Sequence, residues 1–184
     1  MQACFIGHRK IENIEKLKNP LKEIIISLVK KGVNTFLFGS RSDFISLCKE
    51  IVTELKKIHP HIKRIAYTCA SEGCTLESER KQIEDIYLKL YKKEVHLIGV
   101  EQEFEHKNKY VAGKASYVER NKAMIDNSDY CIFYYDENYI PPQRKRSKKD
   151  VRHYQPKSGT KIAYEYAKQK GKKIINLISN SNDK

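Results

Sequence analysis

Short apolar runs alternate with longer amphipathic stretches along most of the chain. The apolar runs predict β-strands at Gln2–Ile6, Thr35–Phe38, Ile65–Thr68, Val95–Val100, Tyr130–Tyr135 and Lys173–Ile178. Between them, apolar residues recur at helical spacing, and residues that favour helix ends mark the boundaries. The first predicted helix starts at Asn19-Pro20 and ends at Gly32, and the second runs from Ser42 or Asp43 toward His59-Pro60. The third covers Glu77–Lys92. The fourth starts at a capping box, Ser116–Glu119, and the fifth covers Lys161–Lys170 and ends before Gly171. Glu101–Lys114 reads as a polar insertion without a clear period.

This alternation of strands and helices determines the expected fold class. Strands that are joined through helices run parallel, and their crossovers are right-handed. We therefore predict an α/β chain with a Rossmann-like, doubly wound, mostly parallel sheet in three layers, forming a single domain over residues 1–184. In such sheets ligands bind beyond the carboxyl ends of the strands, at the point where the strand order reverses.

Three turns at this predicted edge combine small or hydroxyl residues with a helix start. They are Gly7-His8-Arg9 after the first strand, Gly39-Ser40-Arg41 after the second, and Ser158-Gly159-Thr160 at the start of the last helix. The first N–H groups of a helix lack intrahelical partners and face the positive end of its dipole, so such turns suit a phosphate. Arg120 and its neighbours Glu119 and Asn121 join the candidate site from another helix start.

Each of these residues has a structural alternative. The less favoured alternative is that His8 and Arg9 are two surface cations in a turn and that Arg120 is a solvated helix cation. Serine at a helix start is also an ordinary N-cap. We expect the nearby tyrosines to pack against other side chains, and we leave open whether one of them stacks on a purine. These are Tyr134, Tyr135, Tyr139 and Tyr154.

Composition and charge limit the kinds of molecule that the protein is expected to bind. The net charge is +13, and residues 141–157 hold seven Lys or Arg against one Asp, which is typical of a solvated loop. No aromatic RNA-binding signature or helix-turn-helix pattern accompanies this basic loop, so a phosphate-bearing ligand accounts for the charge equally well. No apolar run approaches the roughly 20 residues that cross a membrane, and the first residues form a strand rather than a signal peptide. We expect a cytoplasmic protein without a membrane association.

The five cysteines predict neither a disulfide framework nor a metal site. Cys4, Cys48 and Cys131 lie among apolar neighbours, where free thiols behave as small hydrophobes. Cys69 and Cys74 are not followed by a second Cys/His pair at zinc-finger spacing. We expect no metal and no cofactor.

Several of these stretches together resemble the SLOG superfamily, the Rossmann-like group of the DNA-processing protein A fold and the LOG-type cytokinin-activating enzymes. The chain is most similar to an uncharacterised bacterial branch whose members begin with a Cys-Phe-x-Gly-His-Arg strand-turn. The resembling stretches are Ala3–Arg9, Phe38–Lys49, Gly113–Asp129, Gln155–Ala167 and the loop that starts at Asp136. The resemblance implies a pocket for a nucleotide or a nucleotide derivative.

The resemblance also raises the question of catalysis, because LOG-type enzymes cleave the N-glycosidic bond of nucleoside monophosphates. Their signature combines an Arg-Lys pair with a Pro-Gly-Gly-x-Gly-Thr-x-x-Glu loop whose glutamate acts in catalysis. Here Arg120-Asn121 replaces the Arg-Lys pair, and Ala163 stands at the glutamate position. Glu119 and Asp43 are the alternative carboxylates. We favour binding over catalysis.

Three functions stay open at this point. The favoured one is binding of a nucleotide-derived small molecule, in a sensor or sequestering role. The alternatives are a phosphoribohydrolase-type N-glycosidase and a single-stranded nucleic-acid-binding protein that uses the basic loop. Homo-oligomerisation is left open, and ligand identity is not predicted.

Overall fold

A computed structural model describes residues 1–11, 13–39, 42–69, 102–106, 114–140 and 157–178 of the chain. The described strands are β1 (Gln2–Gly7), β2 (Thr35–Phe38), β3 (Lys63–Cys69), β4 (Gln102–His106), β5 (Tyr130–Tyr134) and β6 (Lys173–Asn176). The described helices are α1 (Ile14–Lys30), α2 (Asp43–Ile58), α3 (Lys114–Asp126) and α4 (Gly159–Gln169). The helix predicted at residues 77–92 and the strand predicted at 95–100 lie outside these ranges.

The six described strands form one sheet in the order β4-β3-β2-β1-β5-β6, and every neighbouring pair is parallel. Strands β2, β3 and β4 follow one another on one side of β1, and β5 and β6 lie on its other side. The direction of winding therefore reverses at the pair of β1 and β5. In the register of that central pair, Ala3 faces Tyr130 and Gly7 faces Tyr134. The predicted Rossmann-like, doubly wound sheet is therefore confirmed.

Alternate residues of the strands supply two separate apolar clusters, one on each face of the sheet. Phe5, Phe36 and Phe38 pack with α1 and α2, and the Phe5 ring centroid lies 5.3 Å from that of Phe38. Cys4 and Phe133 pack on the opposite face with α3 and α4. This arrangement of helix, sheet and helix gives the expected three layers.

Helix α1 starts six residues earlier than the sequence predicts. Its N-cap is Asn13, whose side chain accepts a hydrogen bond from the Lys16 amide at 3.2 Å. Pro20 lies inside the helix on its exposed side, so the carbonyl of Lys16 loses its amide partner but faces water. The prediction of a start at Asn19-Pro20 is wrong, because an exposed proline costs the helix one hydrogen bond without ending it. Gly32 ends α1 as predicted, with φ +89°.

Two further expectations need correction. Gln102–His106 forms β4, paired with β3, where the sequence predicts a polar insertion. Helix α3 begins at Lys114, two residues before Ser116, so the capping box predicted at Ser116 is wrong. Lys114 and Ala115 both have high helix propensity and extend the helix toward its N-terminus. Ser116 lies fully buried inside the helix.

The described cysteine side chains agree with the expected packing. Cys4, Cys48 and Cys131 are buried free thiols. In the described ranges no group of three or more His, Cys, Asp or Glu side chains is arranged to hold a metal ion. The helices of these same ranges include none that is long and apolar enough to cross a membrane.

Candidate functional site

The candidate site lies at the carboxyl edge of the sheet, around the reversal between β1 and β5. Because all described strands are parallel, their carboxyl ends meet at this one edge. The turn after β1, the end of β2, the turn after β5 and the start of α4 therefore share it. This is the position at which doubly wound sheets bind ligands.

Gly7 ends β1, and its missing side chain makes room for Phe44 in the first turn of α2. A Cβ atom on Gly7 would lie 2.5 Å from Phe44 Cδ1 and 3.0 Å from Tyr134 Cβ. The Phe44 ring also stacks on that of Tyr134, with 5.8 Å between the ring centroids. The glycine therefore serves the packing of α2 onto the end of β1.

His8 is buried rather than a surface cation, with 3% of its surface exposed. Its backbone amide donates to the Tyr134 carbonyl at 3.1 Å, which extends the pairing of β1 with β5 by one residue. Its ring nitrogen Nε2 accepts a hydrogen bond from the Asp136 amide at 2.9 Å. The alternative reading of His8 as a solvated cation is wrong, because β5 and the turn after it cover the imidazole.

The hydrogen bond from Asp136 determines which ring nitrogen of His8 carries the proton. The Asp136 carbonyl oxygen also lies near Nε2, but at the longer distance of 3.3 Å. Since Nε2 accepts from the amide, the neutral ring carries its proton on Nδ1. Burial lowers the pKa of His8 below its ordinary value of 6.5, against the opposing influence of the Asp136 carbonyl and carboxylate. His8 is therefore a neutral donor near pH 7.

The turn after β5 holds Tyr139 against His8. Asp136 organises the turn: its Oδ1 accepts from the Asn138 amide at 2.9 Å, and its carbonyl accepts from the Tyr139 amide at 3.3 Å. The Tyr139 ring stacks on the imidazole, with 4.0 Å between centroids and 30° between planes. Tyr139 is 36% exposed and the next residue, Ile140, is 77% exposed. The turn is thus an exposed cover that contacts a buried histidine.

The other described tyrosines of the site pack as expected. Tyr135 is buried and stacks on Tyr164 of α4, with 4.5 Å between the ring centroids. Burial raises the pKa of Tyr135, and the carboxylate of Glu137 adds to the shift, so its hydroxyl stays protonated at neutral pH. Tyr154 lies outside the described residues.

The start of α2 is largely occupied by contacts within the protein. The Asp43 amide donates to the Arg9 carbonyl at 3.0 Å, which ties the turn after β1 to the helix. The Ile45 amide donates to Ser42 Oγ at 3.2 Å, so Ser42 is the N-cap, as predicted. The Arg9 side chain is exposed. Ser40 and Arg41 lie outside the described residues.

Arg120 of α3 lies against the end of β2. The residue is 1% exposed, and a Cβ atom on Gly39 would lie 3.2 Å from Arg120 Nε and 2.8 Å from Met124 Sδ. Gly39 therefore admits α3 to the end of the strand. Arg120 Nε donates to the side chain of Asn121 at 3.2 Å. Glu119 is half-buried one residue earlier, about 100° around the helix axis from Arg120.

The start of α4 has open space beside Gly159 among the described residues. Ser158 is the N-cap, and its Oγ accepts from the Lys161 amide at 3.0 Å. A Cβ atom on Gly159 would meet no heavy atom within 4 Å among the described residues. The amides of Gly159 and Thr160 occupy the first two helical positions, where the helix supplies no acceptor. The Thr160 side chain is buried beside them.

Position 163 contributes an apolar contact to the core. Ala163 is 2% exposed and packs in the cluster of Cys131 and Phe133. Glu165, two residues further on, is exposed, and both of its carboxylate oxygens accept from Lys157 Nζ, at 3.1 and 3.0 Å. Neither residue brings a carboxylate to the carboxyl edge of the sheet. Asp43, the other alternative carboxylate, is exposed at the start of α2.

Sequence reasoning did not predict the contacts that Asp136, Phe44 and Tyr139 make with the turn after β1. Asp136 and Tyr139 meet His8 across 128 and 131 positions of the chain, so their contacts depend on the pairing of β1 with β5. The one sequence signal for Asp136 is its position directly after a predicted strand, which puts it at the carboxyl edge of the sheet. The covering of Gly7 by Phe44 has no signal in the sequence.

Comparison with known proteins gives two matches. The model of the YspA SLOG family matches residues 5–169. The chain is also 26% identical over 153 residues to the UPF0398 protein BH1768 of Halalkalibacterium halodurans, a match that covers 78% of this chain and 74% of the relative. The family match runs from the second half of β1 through α4, and it indicates a nucleotide-related Rossmann-like protein. The chain belongs to the YspA SLOG family.

Proposed function

We propose that the protein binds a nucleotide or a nucleotide-derived small molecule at the carboxyl edge of the sheet, as a sensor or a sequestering protein. The observation that carries this proposal is the open start of α4. Gly159 leaves space there, Ser158 caps the helix, and two amides of the first turn point out of it. A phosphate in this space accepts hydrogen bonds from amides at the positive end of the helix dipole.

Arg120 supports the same location with a positive charge. Met124 of α3 and Ala163 of α4 belong to one apolar cluster. Arg120 lies four residues before Met124, and Thr160 lies three residues before Ala163, about one helical turn in each case. Since both helices run toward the amino edge of the sheet, each of these residues lies on the carboxyl-edge side of its cluster contact. The proposal is that a phosphate at the start of α4 comes within reach of the Arg120 guanidinium, which lies against Gly39.

Binding without turnover is favoured because the position of the LOG-type glutamate is apolar. Ala163 packs among core side chains, and Glu165 is paired with Lys157 in solvent. The LOG-type mechanism uses a glutamate, and an acid–base group must lie within hydrogen-bond reach of the reacting atoms. Neither of these positions supplies one.

The first experiment identifies the ligand directly. The purified protein is denatured, and the released small molecules are analysed by mass spectrometry. We expect a nucleotide or a nucleotide derivative at a substantial molar ratio. Calorimetry with a panel of nucleoside monophosphates and dinucleotides then gives the affinity. A protein that releases none and binds none of the panel contradicts the proposed function.

A variant of Arg120 tests the location of the site. Arg120→Ala removes a charge-assisted contact, which is worth about 1.5–3 kcal/mol, so affinity falls tenfold or more. Arg120→Lys keeps the charge but loses the planar fork, and we expect an intermediate loss. The matched control is Lys122→Ala on the same helix, because Lys122 Nζ lies over the Tyr166 ring, 4.9 Å from its centroid. Equal affinity of Arg120→Ala and the control places the ligand elsewhere.

Two further readouts separate the alternative functions. Steady release of free base from nucleoside monophosphates, lost in Glu119→Gln, identifies an N-glycosidase that uses another carboxylate. Binding to single-stranded nucleic acid that weakens steeply with salt identifies a phosphate-backbone binder. We expect neither result.

A further inference from the structure

The imidazole of His8 contains a buried hydrogen-bonding atom that the protein does not use. Nδ1 is shielded from solvent and has no hydrogen-bond partner among the described residues. The side chain itself is 97% buried, since only 3% of it is exposed. A buried polar atom without a partner destabilises the fold, so such atoms are rare unless a ligand or a water satisfies them.

The protonation state of this atom follows from its neighbour in the ring. Nε2 accepts from the Asp136 amide at 2.9 Å, and the neutral ring therefore carries its proton on Nδ1. The two ring nitrogens point in divergent directions, so the Nδ1–H group points away from the Asp136 amide. His8 presents a fixed donor whose orientation is set by β5.

The segment that lies over the imidazole is the exposed turn from Asp136 to Ile140. Tyr139 stacks on the imidazole face, and Asp136 holds the imidazole edge. Glu137, Asn138, Tyr139 and Ile140 are all exposed, so the turn is a surface segment. Because the turn covers the imidazole, a ligand reaches this side of His8 only if the turn moves.

We infer that His8 Nδ1–H is the donor that recognises a phosphate oxygen of the ligand, and that Tyr139 is the movable cover over it. The inference rests on the proposed function and names the ligand group to which His8 donates a hydrogen bond. Phosphate is the acceptor chemistry that suits this edge, because the open start of α4 and Arg120 lie along it. A neutral donor adds a hydrogen bond without burying a further charge.

The first test needs no ligand. Long-range proton–nitrogen correlation spectra of ¹⁵N-histidine-labelled protein report the tautomer of each ring, and the His8 signals are those missing from His8→Gln. We expect a protonated Nδ1 and an unprotonated Nε2 at about pH 7.5. A protonated Nε2 in the free protein overturns the inference, whatever the protein binds.

The second test uses two substitutions that separate the role of Nδ1 from that of Nε2. His8→Gln carries an amide near the Nε2 position and lacks a donor at Nδ1, whereas His8→Asn carries an amide near Nδ1 and lacks an acceptor at Nε2. The probes are adenosine 5′-monophosphate, inorganic phosphate and adenosine. We expect His8→Gln to weaken binding of the first two about tenfold, His8→Asn to weaken it less, and adenosine affinity to change little in either.

The reverse order, with His8→Asn the weaker binder, shows that His8 acts only by holding the Asp136 turn and overturns the inference. Equal affinity of His8→Gln and the unmodified protein overturns it as well, but leaves the proposed function standing. A loss in His8→Gln that is as large for adenosine as for the phosphates assigns the donor to the base or the ribose, which contradicts the phosphate assignment. If the unmodified protein binds none of the nucleoside monophosphates, the proposed function and this inference both fail.

Discussion

Phe44 occupies the space that a side chain on Gly7 would fill. The two residues are 37 positions apart, and a Cβ atom on Gly7 would lie 2.5 Å from Phe44 Cδ1. Phe44 also belongs to the cluster that joins β1 to α1 and α2. The first glycine of the strand-turn is therefore a packing requirement of the fold.

Gly7→Ala is expected to destabilise the protein through this contact. Overpacking of a well-packed core costs about 1–3 kcal/mol, because neighbouring side chains or backbone must shift. The measurement is the free energy of unfolding in urea. In a Phe44→Leu background the same substitution should cost less, since the ring that clashes is gone. An equal cost in both backgrounds contradicts the assignment of the clash to Phe44.

Gly159→Ala is expected to separate binding from stability. Gly159 does not have a positive φ, and its surroundings are open, so alanine should leave the unfolding free energy unchanged or raise it by up to about 1 kcal/mol. The added methyl group enters the space proposed for a phosphate, so we expect the affinity for adenosine 5′-monophosphate to fall at least tenfold. Ser158→Ala is the contrasting variant, because loss of the cap lowers stability by about 0.5–2 kcal/mol. Undiminished affinity in Gly159→Ala excludes a ligand at the start of α4.

Acid should destabilise the protein through His8. Burial lowers the pKa of His8 below 6.5, so between the two pKa values the unfolded chain binds a proton that the folded protein does not. This contribution to stability is complete above about pH 6.5 and is lost as the pH falls toward the folded-state pKa. Urea unfolding at about pH 7.5 and about pH 5 measures it. His8→Gln should show a smaller loss of stability between these pH values, and an identical loss in both proteins assigns the acid sensitivity to other groups.

Ala163→Glu tests whether the LOG-type glutamate position is available to a carboxylate. Ala163 packs among apolar side chains, so we expect this variant to lose roughly 3 kcal/mol or more of unfolding free energy and to release no base from nucleoside monophosphates. Gln169→Glu places the same group in solvent on the same helix and should change stability by less than about 1 kcal/mol. A stable Ala163→Glu protein with base release would show that position 163 faces the ligand.

Local signals predicted much of the fold. β2 and the start of α2 agree with the prediction because a buried strand and a serine cap each leave a mark on a few adjacent residues. β4 was missed because Gln-Glu-Phe-Glu-His has a single apolar residue, and only its pairing with β3 makes it a strand. The start of α1 was missed because the Asn-Pro signal at residues 19–20 is stronger than the true cap at Asn13.

The candidate site was predicted as a region but not as a set of contacts. Strand order alone brings Gly7, Gly39 and Ser158 to one edge. The burial of His8 and of Arg120 depends on α3 and on the turn after β5, which lie far away in sequence. From the sequence alone, a histidine followed by an arginine suggests two surface cations. The burial of the histidine follows only from the pairing of β1 with β5.

The pairing of β1 with β5 also decides when the site comes into existence during synthesis. Among the described strands β1 leaves the ribosome before the others, and β5 follows more than 120 residues later. The elements up to α3 can assemble before then, but His8 still lacks the strand and the turn that cover its imidazole. Contacts of such long separation form late and slowly. The nascent protein therefore acquires its buried neutral histidine, and with it the proposed recognition of phosphate, only after β5 and the turn from Asp136 to Ile140 have been translated.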